Sequence, residues 1–180
     1  MAWDERLFDL LDDLEGQAEA LYAADRDAEL ADRSRAEYAA VTLAARLMAS
    51  VGDEVTLDVA GAGRVAGELQ RVGPGWCLVA GGVRQWLVPT DAVEAVRGLS
   101  GRAIPEVAWS PVARLGLGSV LRRLADEGAP CMVVTRSGTR HDVVLVRVGS
   151  DFVEARTVGD EPRSVLLPLG TVGAVQSDGT

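Results

Sequence analysis

Few side chains in this sequence could do chemistry. His141 is the sole histidine, and Cys77 and Cys131 are the only thiols. Asp9, Asp12, Asp13 and Glu15 bring four carboxylates into one short stretch. Acid–base or nucleophilic catalysis needs a second group within hydrogen-bond reach of the first, and no such pairing is written into these spacings. His141 follows the Gly138 turn and reads as a solvent-exposed turn residue. The two thiols stand alone in apolar runs and read as reduced, packed cysteines. One histidine and two separated thiols fall short of a zinc ligand set, so neither metal nor cofactor is expected. At helical spacing the carboxylates line a wet face opposite leucines.

Two glycine pairs have the letters of phosphate loops. Gly61-Ala62-Gly63 lies between two predicted strands, whereas a phosphate loop joins a strand to a helix. Gly116-Leu117-Gly118 precedes a helix but lacks the lysine continuation, leaving only an anion contact at a helix N-terminus open.

The elements around these residues come from a duplication. Leu69-Gln70-Arg71-Val72-Gly73-Pro74-Gly75-Trp76 returns as Leu145-Val146-Arg147-Val148-Gly149-Ser150-Asp151-Phe152, 76 positions later. The match resumes three residues out of step, with Trp86–Val96 against Val165–Val175. One small unit therefore occurs twice.

Residues 4 to about 50 contain one glycine, no proline and many strong helix formers. Leu7, Leu11, Leu14, Ala18 and Leu21 follow a 4-3-4-3 spacing that packs against another helix. The seam weakens from Ala24 to Ser34 and returns at Tyr38, Val41, Ala45 and Met48. Two arrangements remain open, a hairpin broken near Arg26–Ser34 and an intermolecular coiled coil. After Gly52 the period changes to alternation, and five short strands are predicted over 55–59, 64–72, 76–80, 83–88 and 93–97. A short helix capped by Gly118 or Ser119 and ended by Gly128 opens the second copy. Its strands are predicted over 131–136, 140–148, 152–157, 164–167 and 172–176. The organisation expected is a helical segment at 1–50, a barrel at 51–99, a linker at 100–116, and a short helix plus second barrel at 117–177.

The strand order with Gly67-Glu68-Leu69 in a bent second strand resembles the Sm-like small β-barrel. The resemblance implies an α+β fold, an N-terminal helical segment followed by two tandem five-stranded Sm-like barrels. Gly73 and Cys77 occupy the positions of the Asp and Asn that shape that family's RNA-facing loop, as do Gly149 and Val153 in the second copy. Over its length, including the opening Trp3-Asp4-Glu5-Arg6-Leu7-Phe8, the chain also resembles an uncharacterised actinobacterial family whose members are often labelled Fis-family transcriptional regulators. A Fis-type reader needs a C-terminal basic helix, whereas this C-terminus reads as strands.

Charge bears on the partner. The chain has 18 arginines, no lysine, 27 carboxylates and a net charge of −9. Residues 1–50 hold 12 of the carboxylates against 5 arginines, and a polyanion binder concentrates the opposite sign. Without a basic-then-apolar leader or a run of roughly 20 apolar residues, a cytoplasmic protein with no membrane partner is expected.

The function expected is a non-enzymatic protein–protein interaction or assembly module, working through a protein partner or self-association. Its surfaces would be Leu7, Leu11, Leu14 and Leu21 on the helix, and Trp76, Trp86 and Phe152 on the barrels. Those aromatics, with Trp109, either pack under helices or form an exposed patch. The copies are expected to meet about a pseudo-twofold axis. The alternative is an Sm-like RNA-binding or DNA-binding regulatory protein using Arg71 and Arg147. Against that alternative, binding of RNA or DNA is expected no tighter than a nonspecific background of about 10⁻⁴–10⁻⁶ M.

Overall fold

The computed structural model describes residues 3–178, with side chains outside the description at 3–14, 18, 20, 24, 25 and 178. The chain divides into two compact units, Met1–Val41 and Thr42–Thr180.

The first unit is one helix, α1 (Trp3–Ala39). It runs unbroken through 26–34, so the hairpin read from the weakened seam is corrected. Alanine, arginine and carboxylate residues supply helix propensity where apolar residues are missing, and exposed pairs such as Arg33–Glu29 (3.2 Å) add tenths of a kcal/mol. Every described side chain of α1 is exposed, including Leu21, Tyr22, Leu30 and Tyr38.

The second unit opens with α2 (Leu43–Met48), whose first turn is capped by Thr42 Oγ1 accepting from the Ala45 N–H. Ten strands follow. The first half supplies β1 (Glu54–Val59), β2 (Gly63–Gly73), β3 (Trp76–Gly81), β4 (Arg84–Pro89) and β5 (Val93–Arg97). Helix α3 (Leu117–Glu127), ended by Gly128 in the left-handed region at φ 63°, introduces the second half. That half supplies β6 (Pro130–Thr135), β7 (Arg140–Val148), β8 (Phe152–Thr157), β9 (Ser164–Pro168) and β10 (Val172–Asp178).

These strands do not make two closed barrels. They form one antiparallel ten-stranded sheet in the order β5-β1-β2-β3-β4-β10-β6-β7-β8-β9. Closing a five-stranded barrel would require β5 to find a second neighbour within its own half. Instead β5 pairs only with β1, β9 pairs only with β8, and β4 joins β10 across the halves. The expected twofold meeting is likewise corrected, because the fourth strand of one half pairs with the fifth strand of the other.

The duplication is visible in the register. Leu69 faces Val79 and Arg71 faces Leu78, with Gln70 bulged between them. Leu145 faces Ala155 and Arg147 faces Glu154, with Val146 bulged. Trp76 opposite Pro89 is repeated by Phe152 opposite Pro168.

Two cores share the central strands. Cys77, Val79 and Val88 point into a first core with Leu47, Leu57 and Leu69. Trp76 and Leu87, on the other face of β3 and β4, belong to a second core with Leu121, Val133, Leu145 and Val153. One half thus contributes side chains to the core of the other.

Part of the segment read as a linker is packed. Trp109 is 5% exposed in the first core, and its Nε1 donates to the Ile104 carbonyl at 2.9 Å. The Arg46 guanidinium donates to the Ser100 carbonyl at 2.7 and 3.1 Å.

Candidate functional site

The residues singled out in the sequence are dispersed over the structure. Leu7, Leu11 and Leu14 fall on α1 outside the described side chains, and Leu21 is exposed on the same helix. Trp76 is buried, with its indole Nε1 donating to the Leu115 carbonyl at 2.7 Å. Phe152 is half-buried against Gly149 at the far turn. Trp86 lines a groove.

The two arginines of the nucleic-acid alternative are not equivalent. Arg147 donates through Nη2 and Nε to Glu154 Oε2 at 2.6 and 3.0 Å. Arg71 is exposed, and the residue facing it across the strands is Leu78. His141 sits half-buried within β7 opposite Val133, not in the turn, because β7 begins one residue earlier at Arg140. Burial pushes the Cys77 thiol up to about 12 and the Cys131 thiol up to about 11, so both are protonated at neutral pH. Among the described residues no group of three His, Cys, Asp or Glu side chains is placed to hold a metal ion.

Gly61-Ala62-Gly63 is the β1–β2 turn, with φ 73° and 76° at its glycines, and it makes the junction of the halves. A Cβ on Gly61 would strike the Thr135 carbonyl, and one on Gly173 would strike the Ala60 carbonyl. Beside this contact Asp91 Oδ2 of the first half lies 2.7 Å from Arg136 Nη2 of the second, an ion pair too poorly aligned to count as a hydrogen bond.

The same junction encloses a groove of about 670 Å³. Its floor includes a row running across four strands. Gln176 of β10 faces Trp86 of β4 on one side and Met132 of β6 on the other, and Met132 in turn faces Asp142 of β7. Arg64, Arg84 and Arg140 also line the groove. A second groove of about 440 Å³ shares Arg64, Arg84 and Trp86.

No protein-family model matches the chain, and no curated protein matches it.

Sequence reasoning missed the groove arginines, although a signal was present. Arg64 and Arg140 occupy the same position of the two copies, 76 residues apart, at the start of the second strand of each half. What the repeat could not show is that both strands open onto one groove.

Proposed function

We propose that the protein is a non-enzymatic assembly module whose copies join sheet edge to sheet edge. The observation that carries this is the contrast between Leu87 and Leu166, equivalent residues of the duplicated unit. Leu87, on the strand that meets β10, is 3% exposed, while Leu166, on the free strand β9, is 60% exposed. A strand edge with unpaired backbone groups and an uncovered leucine is a template for another strand.

The internal joint supplies the pattern. It pairs the fourth strand of one half with the fifth strand of the other, with Leu87 opposite Val175 and Trp86 opposite Gln176. The unused edges are the fifth strand of the first half, β5, and the fourth strand of the second, β9. Joining β9 of one molecule to β5 of the next would repeat the joint, setting Leu166 opposite Val96. Such a contact is head-to-tail, so it closes into a ring or extends as a filament according to the rotation per copy. Protonated thiols and a lone histidine inside a strand support a role without catalysis.

Crosslinking tests the register. A Leu166→Cys, Val96→Cys double variant, oxidised at rising protein concentration, is expected to give a ladder of disulfide-linked oligomers. Each single variant is expected to stop at dimers or below. Light scattering is expected to show association that Leu166→Lys abolishes. A monomer at every concentration, with no ladder, would sink the proposal.

A further inference from the structure

Among the described tryptophans, Trp86 alone leaves its indole N–H without a protein acceptor. Trp76 donates to Leu115 and Trp109 donates to Ile104, whereas Trp86 is half-buried in the groove at the junction of the halves. The Gln176 amide opposite it likewise makes no hydrogen bond among the described residues, although it carries both donors and acceptors. Arg84 and Arg140, on the same groove, make no ion pair or hydrogen bond among the described residues. Arg64 shares Asp58 with Arg97, but Arg97 holds the closer contact, at 2.6 Å against 3.5 Å. The Trp86 indole, packed in part against the first core, an unused amide and guanidinium groups thus line one concave surface.

Those groups divide into two chemistries. An exposed indole face stacks with planar rings, and guanidinium groups hold phosphate oxygens. An amide at the edge of the ring platform can read a ring's polar edge. We infer that this groove binds a ligand carrying both a heteroaromatic base and phosphates, the base on Trp86 and the phosphates on Arg84, Arg140 and Arg64. That chemistry is found in a short single strand of nucleic acid and in a free nucleoside polyphosphate. Arg84 and Arg140 stand on β4 and β7, three strand spacings apart across the sheet and four residues apart along it, or about 19 Å on a flat sheet, which suits more than one phosphate.

The carboxylates nearby keep the contact modest. Asp142 lines the groove, Asp58 stays with Arg97, and Asp178 stands opposite Arg84 in the register. With about three phosphates neutralised on a single strand, raising salt from 50 to 150 mM is expected to weaken binding about tenfold. The site is distinct from Arg71 and Arg147, and it lies within one chain, so it does not depend on edge assembly.

The test uses the full chain in a Leu166→Lys background, so that failure of assembly and failure of this site are read separately. Fluorescein-labelled dodecauridylate and dodecathymidylate are titrated by anisotropy, with ATP and UMP as competitors and poly-glutamate as the charge control. Saturable binding is expected. An Arg84→Gln, Arg140→Gln double variant is expected to weaken it at least tenfold, and Trp86→Leu by about 5- to 100-fold. Trp86→Phe retains a ring and is expected to stay within about threefold of the parent, which guards against a folding artefact in the leucine variant. Arg71→Ala is expected to change nothing. Competition by ATP at micromolar concentration would assign the site to free nucleotides, and its absence would assign it to single strands. Three results would overturn the inference: no saturable binding of oligonucleotide or ATP at 50 mM salt, equal displacement by poly-glutamate, or indifference to the arginine and tryptophan substitutions.

Discussion

The ring of Trp76 fills the space that a side chain on Gly73 would need. A Cβ at Gly73 would lie 2.5 Å from Trp76 Cε2 and 2.8 Å from the Leu115 carbonyl oxygen. The second copy repeats the arrangement, with a Cβ on Gly149 placed 2.5 Å from Phe152 Cε1. The Gly-x-x-aromatic spacing that reveals the duplication is therefore a packing device, an aromatic ring folded back over a bare backbone.

The two glycines are expected to differ in what they tolerate. Trp76 is 5% exposed and tied through Nε1 to Leu115, so it cannot swing away from a new methyl group. Phe152 is half-buried and makes no such hydrogen bond. Gly73→Ala is expected to cost about 2–3 kcal/mol and Gly149→Ala about 1 kcal/mol or less. Urea unfolding of both variants checks the order, and equal losses would show that the Trp76 hydrogen bond does not fix the ring.

Residues 100–116 contribute to stability, although their prolines and glycines read as a spacer. Trp109→Ala empties a place in the first core and is expected to cost about 3–5 kcal/mol. Trp76→Phe keeps a ring but leaves the Leu115 carbonyl without its donor, for about 1–3 kcal/mol. Thermal unfolding followed by near-ultraviolet circular dichroism resolves both. A Trp109→Ala loss below about 1 kcal/mol would make the segment a true linker.

Most strand positions were legible because alternation and glycine turns are local signals. β7, β8 and β5 begin and end where the pattern places them. The alternation of Val153 and Ala155 with Glu154 and Arg156 is such a signal, and Val153, Ala155 and their counterparts Cys77 and Val79 are all buried. The joining of β4 to β10 was not legible, because pairing between edge strands leaves no period in either strand. Trp109 stayed open between packing and a surface patch for a related reason, since the first core it enters also gathers residues of α2 and β1, far away in sequence. The Arg147–Glu154 pair sits at a repeated position, but its partner is leucine in the other copy, so the repeat hid it. The groove residues were unreadable as a set, being gathered from β2, β4, β6, β7 and β10 only once the halves join.

Arg147→Ala is expected to change stability by no more than about 1 kcal/mol, since its pair with Glu154 is largely exposed. Glu154 also accepts from the Ser164 hydroxyl at 3.3 Å and keeps that partner in the variant. A double-mutant cycle with Glu154→Gln measures the pair directly. A coupling above about 2 kcal/mol would mean that the far half depends on this contact.

The thiols give the chain an alkaline limit. In the unfolded chain both cysteines deprotonate near pH 8.5, whereas burial pushes Cys77 up to about 12 and Cys131 up to about 11 in the fold. The folded state therefore holds these protons more tightly than the unfolded state. Their stabilising effect is fully present below about pH 8.5 and is lost as the pH rises towards 11 and then 12. Unfolding at pH 7.5, 9 and 10.5 is expected to show a progressive loss that Cys77→Ala reduces, once its own cavity cost at pH 7.5 is subtracted. Reaction with a disulfide reagent at pH 8 gives an independent reading. Cys131, half-exposed at the groove, is expected to react slowly, and Cys77 only at the rate of unfolding. Rapid modification of both thiols in the native protein would show that the first core is open to solvent around Cys77.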